Sequence, residues 1–378
     1  MLRCLSAVLL RRKAVGKNSG LDNSIKNEHM EQLAKYRDEQ LRKAPELRSL
    51  FIEMTGYCNE HCRHCGSNCG DFTEEGRLSG EELKAFLDDV KRDFGTEKTR
   101  LCITGGEPLL REDLFDIMEH AYALGFNWGM TSNGTLIDDE VADKLAKAGM
   151  RTISISLDGL KEYHEWFRQS PGSYEKTVNG IKALLRNGSF AHVQITTVVT
   201  HKNIRDLKKM YKEFSKIGVR SWRVINIEPI GRAKEQPELP LNSGEYKKLF
   251  EFINEYRYKG PMEVVYGCSH YLGEDLEREI RKWYFLCNAG VYVASVMYNG
   301  DITACLDIER RPELVQGNIR TDSLKEVWEN KFDIYRTDWR KCGPCQDCEH
   351  YRFCAGDSFH SWNFDKMEPN LCFKGILF

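Results

Sequence analysis

Three closely spaced cysteines are the residues whose types point most directly to chemistry. Cys58, Cys62 and Cys65 form a C-x3-C-x2-C pattern directly after an apolar run that predicts a strand. Cysteine thiolates are the usual protein ligands of a 4Fe–4S cluster, which takes four of them. Three thiolates bind three irons and leave the fourth iron open to a small molecule. The alternative is a zinc site with a distant fourth ligand.

The late part of the chain contains a second concentration of cysteines. Eight cysteines follow residue 267, namely Cys268, Cys287, Cys305, Cys342, Cys345, Cys348, Cys354 and Cys372. Eight thiolates are enough for two fully ligated 4Fe–4S clusters or for two zinc sites with four cysteines each. The remaining three, Cys4, Cys69 and Cys102, fit no ligand pattern and are interpreted as ordinary thiols.

Glycine and polar motifs follow other predicted strands. The candidate binding residues are Gly105, Gly106, Glu107 and Pro108 in GGEP, Ser132 and Asn133 in TSNG, and Ser156 and Asp158 in SLDG. Paired glycines allow a ligand to approach the backbone, and Glu107 is a candidate partner for an ammonium group, although a tight turn explains the same motif. Ser156 and Asp158 fit either a ribose hydroxyl pair or hydrogen bonds to neighbouring loops.

Elements that would position these residues alternate from residue 50 to about residue 229. Predicted strands are residues 50–54, 99–104, 127–131, 152–157, 193–199 and 222–227, and predicted helices are residues 80–94, 112–124, 138–148, 174–186 and 204–217. Ser79 and Ser173 are predicted to cap helix starts, and Asp138 is predicted to open its helix with acidic residues that suit the helix dipole. Six strand–helix repeats predict a parallel sheet but are too few for a closed eight-stranded barrel. We therefore predict an α/β fold with a partial (β/α)6 TIM-like barrel.

Composition narrows the class of protein. The chain has 378 residues and a net charge of −2, which favours several domains and gives no sign of a nucleic-acid partner. No apolar run reaches the roughly 20 residues that a membrane span needs. Fourteen cysteines without a secretion signal favour metal ligation over disulfides. We expect a cytoplasmic protein.

The motifs and their order resemble the radical S-adenosylmethionine (radical SAM) superfamily across about residues 50–233. The resemblance implies that Cys58, Cys62 and Cys65 hold a 4Fe–4S cluster whose open iron binds SAM, with His64 at the aromatic position before the third cysteine. It also implies that GGEP contacts the methionyl amine, and that Ser156 and Asp158 contact the ribose region. Such enzymes cleave SAM reductively to a 5′-deoxyadenosyl radical, which abstracts hydrogen from a substrate.

The late cysteines resemble the SPASM extension of radical SAM enzymes, a small cysteine-rich domain with two auxiliary 4Fe–4S clusters. The resemblance implies a second auxiliary cluster on Cys345, Cys348, Cys354 and Cys372. The first would take Cys268, Cys287 and Cys305, with Cys342, Asp357, His360 or an open iron in the fourth position. The pattern departs from that family at Ser358, where a cysteine is usual.

The resemblance implies a domain order. We predict an N-terminal extension (1–45), the barrel (46–235), a bridging linker with a helix (236–265) and the SPASM domain (266–378). Further sequence segments, such as FNWGMTSNG and WRVINIEPIGRA, resemble those of a SPASM subgroup associated with small lipoproteins or peptides.

The leading hypothesis is an oxidoreductase that modifies a peptide or protein by oxidation, crosslinking, thioether formation or epimerisation. One alternative is a sulfatase-type maturase that forms formylglycine, with Asp307 as the candidate catalytic base. Another is a non-catalytic iron–sulfur or zinc scaffold. The expected partners are the substrate and a flavodoxin or ferredoxin as electron donor. Leader recognition is expected either from a separate leader-recognition protein or from the edge of the barrel.

Overall fold

A ten-stranded sheet forms the centre of the protein, whose computed structural model describes residues 23–70, 75–281 and 285–378. Its strands are β1 (Ser49–Glu53), β2 (Arg100–Thr104), β3 (Asn127–Ser132), β4 (Met150–Ser156), β5 (His192–Val199), β6 (Ser221–Asn226), β7 (Glu263–Tyr266), β8 (Val293–Val296), β9 (Asp301–Thr303) and β10 (Gly317–Asn318). The order across the sheet is β10-β9-β8-β1-β2-β3-β4-β5-β6-β7. A separate antiparallel pair joins β11 (Trp362–Asn363) to β12 (Glu368–Pro369).

The partial barrel is confirmed, and it has more strands than the six predicted. Strands β1 to β7 pair in parallel in chain order, and β8 pairs in parallel with the other edge of β1. The series of parallel strands ends at β7 on one side and at β8 on the other. These two strands do not pair in the sheet of the described residues, so the barrel stays open. β7 lies in the segment predicted as a linker, and β8 forms an antiparallel hairpin with β9.

Helices connect the strands. They are α1 (Asn23–Tyr36), α2 (Gly80–Phe94), α3 (Leu114–Leu124), α4 (Asp139–Lys147), α5 (Lys161–Arg168), α6 (Ser173–Asn187), α7 (Leu207–Ile217), α8 (Ser243–Tyr256), α9 (Glu274–Ile280), α10 (Leu324–Asn330), α11 (Asp333–Arg336) and α12 (Tyr351–Cys354). Helix α5, which follows β4, was not predicted from the sequence. Helices α2 to α8 lie between successive parallel strands, so the carboxyl ends of those strands share one edge of the sheet.

Local sequence explains where several helices begin. Ser79 caps α2 in a capping box with Glu82, and the Asp138 side chain accepts a hydrogen bond from the Val141 amide at the start of α4. The predicted cap at Ser173 is wrong. Gly172, with a φ of 78°, precedes the helix, and Ser173 is already its first residue. A left-handed residue at that position favours glycine.

Two buried tryptophans fix the sheet to its surroundings. Trp128 donates a hydrogen bond from Nε1 to the Ala148 carbonyl at 2.8 Å, and Trp222 donates from Nε1 to Thr197 Oγ1 at 2.8 Å. Both rings are at most 2% exposed. Buried indole N–H groups with partners add specificity to the apolar packing, so the strand ends that present the motifs have fixed positions.

The start of the described chain packs on its end. Arg37, in the turn after α1, donates hydrogen bonds to the carbonyls of Phe353 and Arg352, each at 2.8 Å. Arg352 also pairs with Glu31 at 3.1 Å. The second half of the predicted N-terminal extension is therefore attached to the late cysteine region. Residues 1–22 of that extension, including Cys4, lie outside the described residues.

None of the helices in the described ranges has both the length and the apolar character that crossing a bilayer requires.

Candidate functional site

The three early cysteines lie in a loop directly after β1, at the wall of a cavity of about 210 Å³. Cys62 is buried, and Cys58 and Cys65 are partly exposed. The Cys58 amide donates a hydrogen bond to the Gly70 carbonyl at 3.1 Å, and the Cys65 amide donates to the Cys62 carbonyl at 3.3 Å. The backbone thus presents the three thiols toward one space.

The spacing of these thiols distinguishes the two kinds of metal site. A tetrahedral zinc ion with Zn–S bonds of about 2.3 Å would hold its sulfurs about 3.8 Å apart. In the described part of the chain, no three cysteines have their sulfurs within 4.8 Å of one another. Two buried atoms, Glu60 Oε1 and His64 Nδ1, also lack a hydrogen-bond partner there. These observations fit a larger bound group such as a 4Fe–4S cluster with SAM.

The paired glycines seat the loop after β2 against the cysteine loop. The Gly106 amide donates a hydrogen bond to the Thr55 carbonyl at 2.6 Å. A Cβ on Gly106 would lie 2.0 Å from the Tyr57 carbonyl oxygen, so no other residue fits without backbone movement. Gly105 and Gly106 both line the cavity. They therefore allow close approach of two backbone segments as well as of a ligand.

Glu107 and Pro108 lie behind the cavity wall. Glu107 is fully buried and accepts hydrogen bonds from Ser132 Oγ at 2.9 Å, from the Asn133 amide at 2.8 Å and from the Leu109 amide at 3.2 Å. Burial raises the pKa of Glu107 to about 7. The sequence predicted an ammonium partner; the structure instead places this carboxylate where it positions the loop after β3. Ser132 and Asn133 themselves line the cavity.

Ser156 and Asp158 of the SLDG motif differ in their position relative to the cavity. Ser156 lines the cavity at the end of β4. Asp158 is 1% exposed and accepts hydrogen bonds from Arg168 Nε and from the Val198 amide, each at 2.8 Å. Both of its oxygens accept hydrogen bonds within the protein and Asp158 does not line the cavity, while the predicted ribose contact stays a prediction. Its hydrogen bonds to neighbouring elements match the alternative interpretation.

A buried ion-pair network holds the cysteine loop and was missed by the sequence analysis. Arg168, the last residue of α5, donates from Nη1 to Glu60 Oε2 at 2.7 Å and also binds Asp158. Glu60 Oε2 in turn lies 3.9 Å from Cys62 Sγ. Burial raises the pKa of the Cys62 thiol, and the nearby Arg168 charge opposes that rise. The Glu60 carboxylate adds to the rise, so Arg168 is the member of the network that favours ionisation of Cys62 for iron binding.

His64 and Arg232 support the same loop. The His64 ring stacks on Phe167 with centroids 4.2 Å apart and 7° between planes. Burial lowers the pKa of His64 to about 4, so the ring is neutral at physiological pH. Arg232 donates hydrogen bonds to the carbonyls of Cys62 at 2.8 Å and of Cys69 at 2.7 Å. An aromatic stack and a guanidinium thus close the loop from two sides.

Cys69 is not the isolated thiol that the sequence suggested. It is buried, lines the cavity and donates a hydrogen bond from its amide to Cys65 Sγ at 3.3 Å. An N–H bond of this kind stabilises a thiolate. The spacing of four residues from Cys65 was the available signal.

Cysteines of the first late set lie close to the same cavity. Cys268 follows β7, Cys287 precedes β8 and Cys305 follows β9, and all three are partly exposed. The two residues after Cys305, Leu306 and Asp307, line the cavity that also contains Cys58 and Cys65. Asp307, the predicted base, is exposed there. The cavity therefore has walls from both cysteine regions.

The second late set lies in loops at the end of the chain. Cys345 and Cys354 belong to short helical turns, and Cys372 is exposed. Burial is the main cause that raises the pKa of Cys345 to about 11, and the neighbouring Cys372 and Cys348 thiols add to this rise. Cys342 lies in the same loop, with Sγ 3.8 Å from the Met367 carbonyl. These contacts associate Cys342 with the second set.

The other candidates for the fourth ligand of the first auxiliary cluster differ in whether their side-chain atoms already have hydrogen-bond partners. Asp357 has both oxygens engaged, by His270 Nδ1 at 2.7 Å, the Tyr271 amide at 2.7 Å and Ser361 Oγ at 3.1 Å. His360 Nε2 and Ser358 Oγ are buried and have no hydrogen-bond partner among the described residues. The predicted alternative at Asp357 would require these three bonds to break.

Residues 52–214 match the radical SAM superfamily, and residues 287–349 match SPASM, an iron–sulfur cluster-binding domain. The chain therefore contains a radical SAM domain followed by a SPASM domain. It is therefore an enzyme of the radical SAM/SPASM type, with 4Fe–4S clusters and SAM as cofactors. When bound, these groups supply one-electron cleavage of SAM and hydrogen abstraction.

Curated relatives cover most of the chain. It is 28% identical to the AdoMet-dependent heme synthase of Oleidesulfovibrio alaskensis, covering 83% of both chains. It is 29% identical to the enzyme of that name from Methanosarcina barkeri, covering 82% of this chain and 90% of that one. It is also 27% identical to the mycofactocin maturase MftC of Mycobacterium tuberculosis, covering 81% and 77%.

Solved structures share the fold. Streptococcus suis SuiB bound to S-adenosylmethionine superposes with a TM-score of 0.67 at 18% identity, covering 94% of this chain and 82% of SuiB. The enzyme anSMEcpe with bound AdoMet superposes with a TM-score of 0.65 at 22% identity, covering 84% and 90%. The predicted radical SAM and SPASM resemblance is confirmed.

Proposed function

We propose that this enzyme modifies a peptide or protein substrate held between its two cysteine regions. The observation that supports this most directly is the shared cavity, with Cys58 and Cys65 on one wall and Leu306 and Asp307 on the other. A substrate group there faces the SAM-binding side and the first auxiliary set together. An auxiliary cluster supplies an electron acceptor for a net oxidation, since cluster potentials span about −700 to +450 mV.

A groove adjoining the cavity supports an extended substrate. It has a volume of about 450 Å³, is lined by residues between 297 and 315, and shares Leu306 with the cavity. Cys305 also lines it. A groove that opens into a reaction cavity can hold a chain on either side of the modified residue. Among structures with this fold, SuiB has been solved with its precursor peptide SuiA, and anSMEcpe with the Cp18Cys peptide.

Asp307 is the residue that we assign as the proton acceptor. Its exposed carboxylate lies in the cavity two residues after Cys305. A substrate carbon that loses a hydrogen atom and then an electron must also release a proton, and a carboxylate in contact with it can take that proton. The same role serves formylglycine formation and crosslinking. The bond formed therefore depends on the substrate.

The remaining parts of the proposal concern partners. Flavodoxin or ferredoxin would deliver the electron that starts each turnover, and a separate protein would recognise the substrate's leader. These partners, a cytoplasmic location and membership of the lipoprotein- or peptide-associated subgroup follow from the sequence resemblance.

A second candidate is a reaction on an iron-porphyrin. Relatives named for heme synthesis are 28–29% identical and cover more than four-fifths of the chain, slightly above the 27% of the peptide maturase. A further relative from Methanosarcina barkeri, 26% identical, is named Fe-coproporphyrin III synthase. The substrate test must therefore include both classes of compound.

The experiment is anaerobic incubation of the cluster-loaded enzyme with SAM, dithionite and short peptides encoded beside its gene, read by mass spectrometry. We expect one peptide to lose two hydrogen atoms or to take up deuterium from solvent. Asp307→Asn should slow that change about 100-fold. The control Glu140→Gln removes an exposed carboxylate that pairs with Lys144 on helix α4 and should have no effect. Conversion of iron-coproporphyrin III with no peptide changed would contradict the proposal and favour the second candidate.

A further inference from the structure

Three metal-ligating side chains, none of them a cysteine, converge beside Cys268 of the first late set. Glu228 follows β6, His270 follows β7, and His360 lies in the turn Phe359–Ser361 near the end of the chain. One ligand atom from each lies within 4.8 Å of the other two. No other trio of His, Cys, Asp or Glu in residues 23–70, 75–281 and 285–378 meets that criterion. The trio joins the carboxyl ends of two barrel strands to the SPASM region.

The distances fit a single ion. His270 Nε2 lies 2.6 Å from Glu228 Oε1, and His360 Nε2 lies 4.0 Å from the same oxygen. An ion with bonds of about 2.0–2.2 Å in tetrahedral geometry separates its ligand atoms by about 3.3–3.6 Å. The two observed distances lie on either side of that separation. Side-chain shifts of less than an ångström would bring both of these distances to it.

Asp357 fixes the orientation of His270. Its Oδ2 lies 2.7 Å from His270 Nδ1, and the Tyr271 amide and Ser361 Oγ hold the carboxylate in place. With a proton on Nδ1 donated to Asp357, the lone pair of Nε2 faces the Glu228 oxygen. At 2.6 Å, His270 Nε2 and Glu228 Oε1 share a hydrogen bond, and a metal ion that took the place of its proton would bind both atoms. A carboxylate behind a ligating histidine is the usual arrangement at metal sites.

Two unpartnered atoms favour the metal over the proton. Glu228 Oε2 and His360 Nε2 are buried and have no hydrogen-bond partner among the described residues. Asn226 Nδ2 donates to Glu228 Oε1 at 2.5 Å and therefore leaves Oε2 unsatisfied. A protonated His270 would satisfy Oε1 and Asp357 only. An ion bound to all three side chains would also provide a partner for His360 Nε2 and for the second oxygen of the Glu228 carboxylate.

We propose that Glu228, His270 and His360 bind one divalent first-row metal ion, with Asp357 as the positioning residue for His270. Two imidazoles and one carboxylate suit zinc and ferrous iron. The ion would offset the buried charges of Glu228 and Asp357 and would link strands β6 and β7 to the SPASM region. Three protein ligands leave one position for water or a substrate group.

The test uses the cluster-loaded enzyme, freed of loosely bound metal and titrated anaerobically with zinc chloride alone. Elemental analysis should find one zinc per chain in addition to the cluster iron. Glu228→Gln preserves the size of the side chain and should abolish that zinc, as should His360→Ala. Asp357→Asn should weaken zinc binding about 10- to 100-fold. His201→Ala removes a histidine that pairs with Glu245 on the surface and should leave zinc binding unchanged.

Two further readouts separate the possible outcomes. Cobalt(II) bound in place of zinc should give visible absorption bands that Glu228→Gln removes, and a ferrous iron titration distinguishes the two natural ions. The proposal is overturned when the wild-type enzyme and Glu228→Gln retain equal amounts of zinc and cobalt. It is also overturned when His360→Ala loses about four irons together, because that loss would make His360 a ligand of the first auxiliary cluster.

Discussion

The early cysteine loop and the late cysteine loops differ in how the protein holds them. Buried contacts hold the loop of Cys62 and Cys65, since Arg168 pairs with Glu60 of that loop and Arg232 donates to the Cys62 carbonyl. The late ligands are spread from residue 268 to residue 372, and Cys372 is exposed. A loop fixed by the fold has its ligand geometry before the cluster arrives, whereas scattered loops gain theirs on binding. The SAM site should therefore form independently of the late sites.

The largest expected effect follows removal of an early ligand. Cys58→Ala should abolish SAM cleavage and lower the iron content by about four per chain, because only two of the three predicted thiolate ligands remain. Iron analysis and liquid chromatography of 5′-deoxyadenosine measure both. Cys102→Ala, on β2 and outside every proposed ligand set, is the matched control and should retain both properties. Full SAM cleavage by Cys58→Ala would show that this loop is not the SAM site.

Breaking the buried ion-pair network tests the rigidity of the early loop. Arg168→Met should lower the free energy of unfolding by about 3–5 kcal/mol, since two buried carboxylates, Glu60 and Asp158, lose their counter-ion. Urea unfolding of the cluster-free protein measures this. Arg186→Met removes a surface pair with Asp139, in which both side chains are more than half exposed, and should cost at most about 1 kcal/mol. Equal losses in the two variants would refute a special role for Arg168.

The pH dependence of stability tests the burial of Glu107. Burial raises the pKa of this carboxyl from 4.5 to about 7, so its neutral form stabilises the fold. That contribution is complete below pH 4.5 and is lost as pH rises to about 7. Relative to Glu107→Gln, the wild type should therefore lose about 3 kcal/mol over this range. A constant difference between the two unfolding free energies across these pH values would contradict the assignment.

The smallest effect on SAM cleavage is expected from the late region. Cys372→Ser should reduce total iron by up to about four per chain yet leave SAM cleavage within about twofold of wild type, because its exposed loop is far along the chain from the SAM-binding loop. Product formation on a peptide is the activity that should fall. Loss of SAM cleavage comparable with that of Cys58→Ala would remove the distinction between the two regions.

The sequence predicted the parts of the site that are local in the chain. Cys58, Gly105, Ser132 and Ser156 follow successive parallel strands, and the carboxyl ends of such strands meet at one edge, so their convergence was predictable. Strands β7 and β8 were missed because four residues are too few for a clear periodicity.

The direction of a buried charged side chain was not predictable. Glu107 and Asp158 were identified as ligand contacts by residue type, but both carboxylates point into the protein. The Arg168–Glu60 pair joins residues 108 positions apart, and its helix α5 has only eight residues. Such contacts depend on tertiary packing, which leaves no local pattern in the sequence.

Transfer of deuterium from the substrate tests the central claim most directly. The peptide that the enzyme modifies is synthesised with deuterium at its α-carbons and side-chain carbons and is incubated anaerobically with the enzyme, SAM and dithionite. We predict one deuterium in the 5′-deoxyadenosine formed for each peptide modified, because the substrate lies in the cavity between the two cysteine regions. Unlabelled 5′-deoxyadenosine with an unchanged peptide would contradict the account.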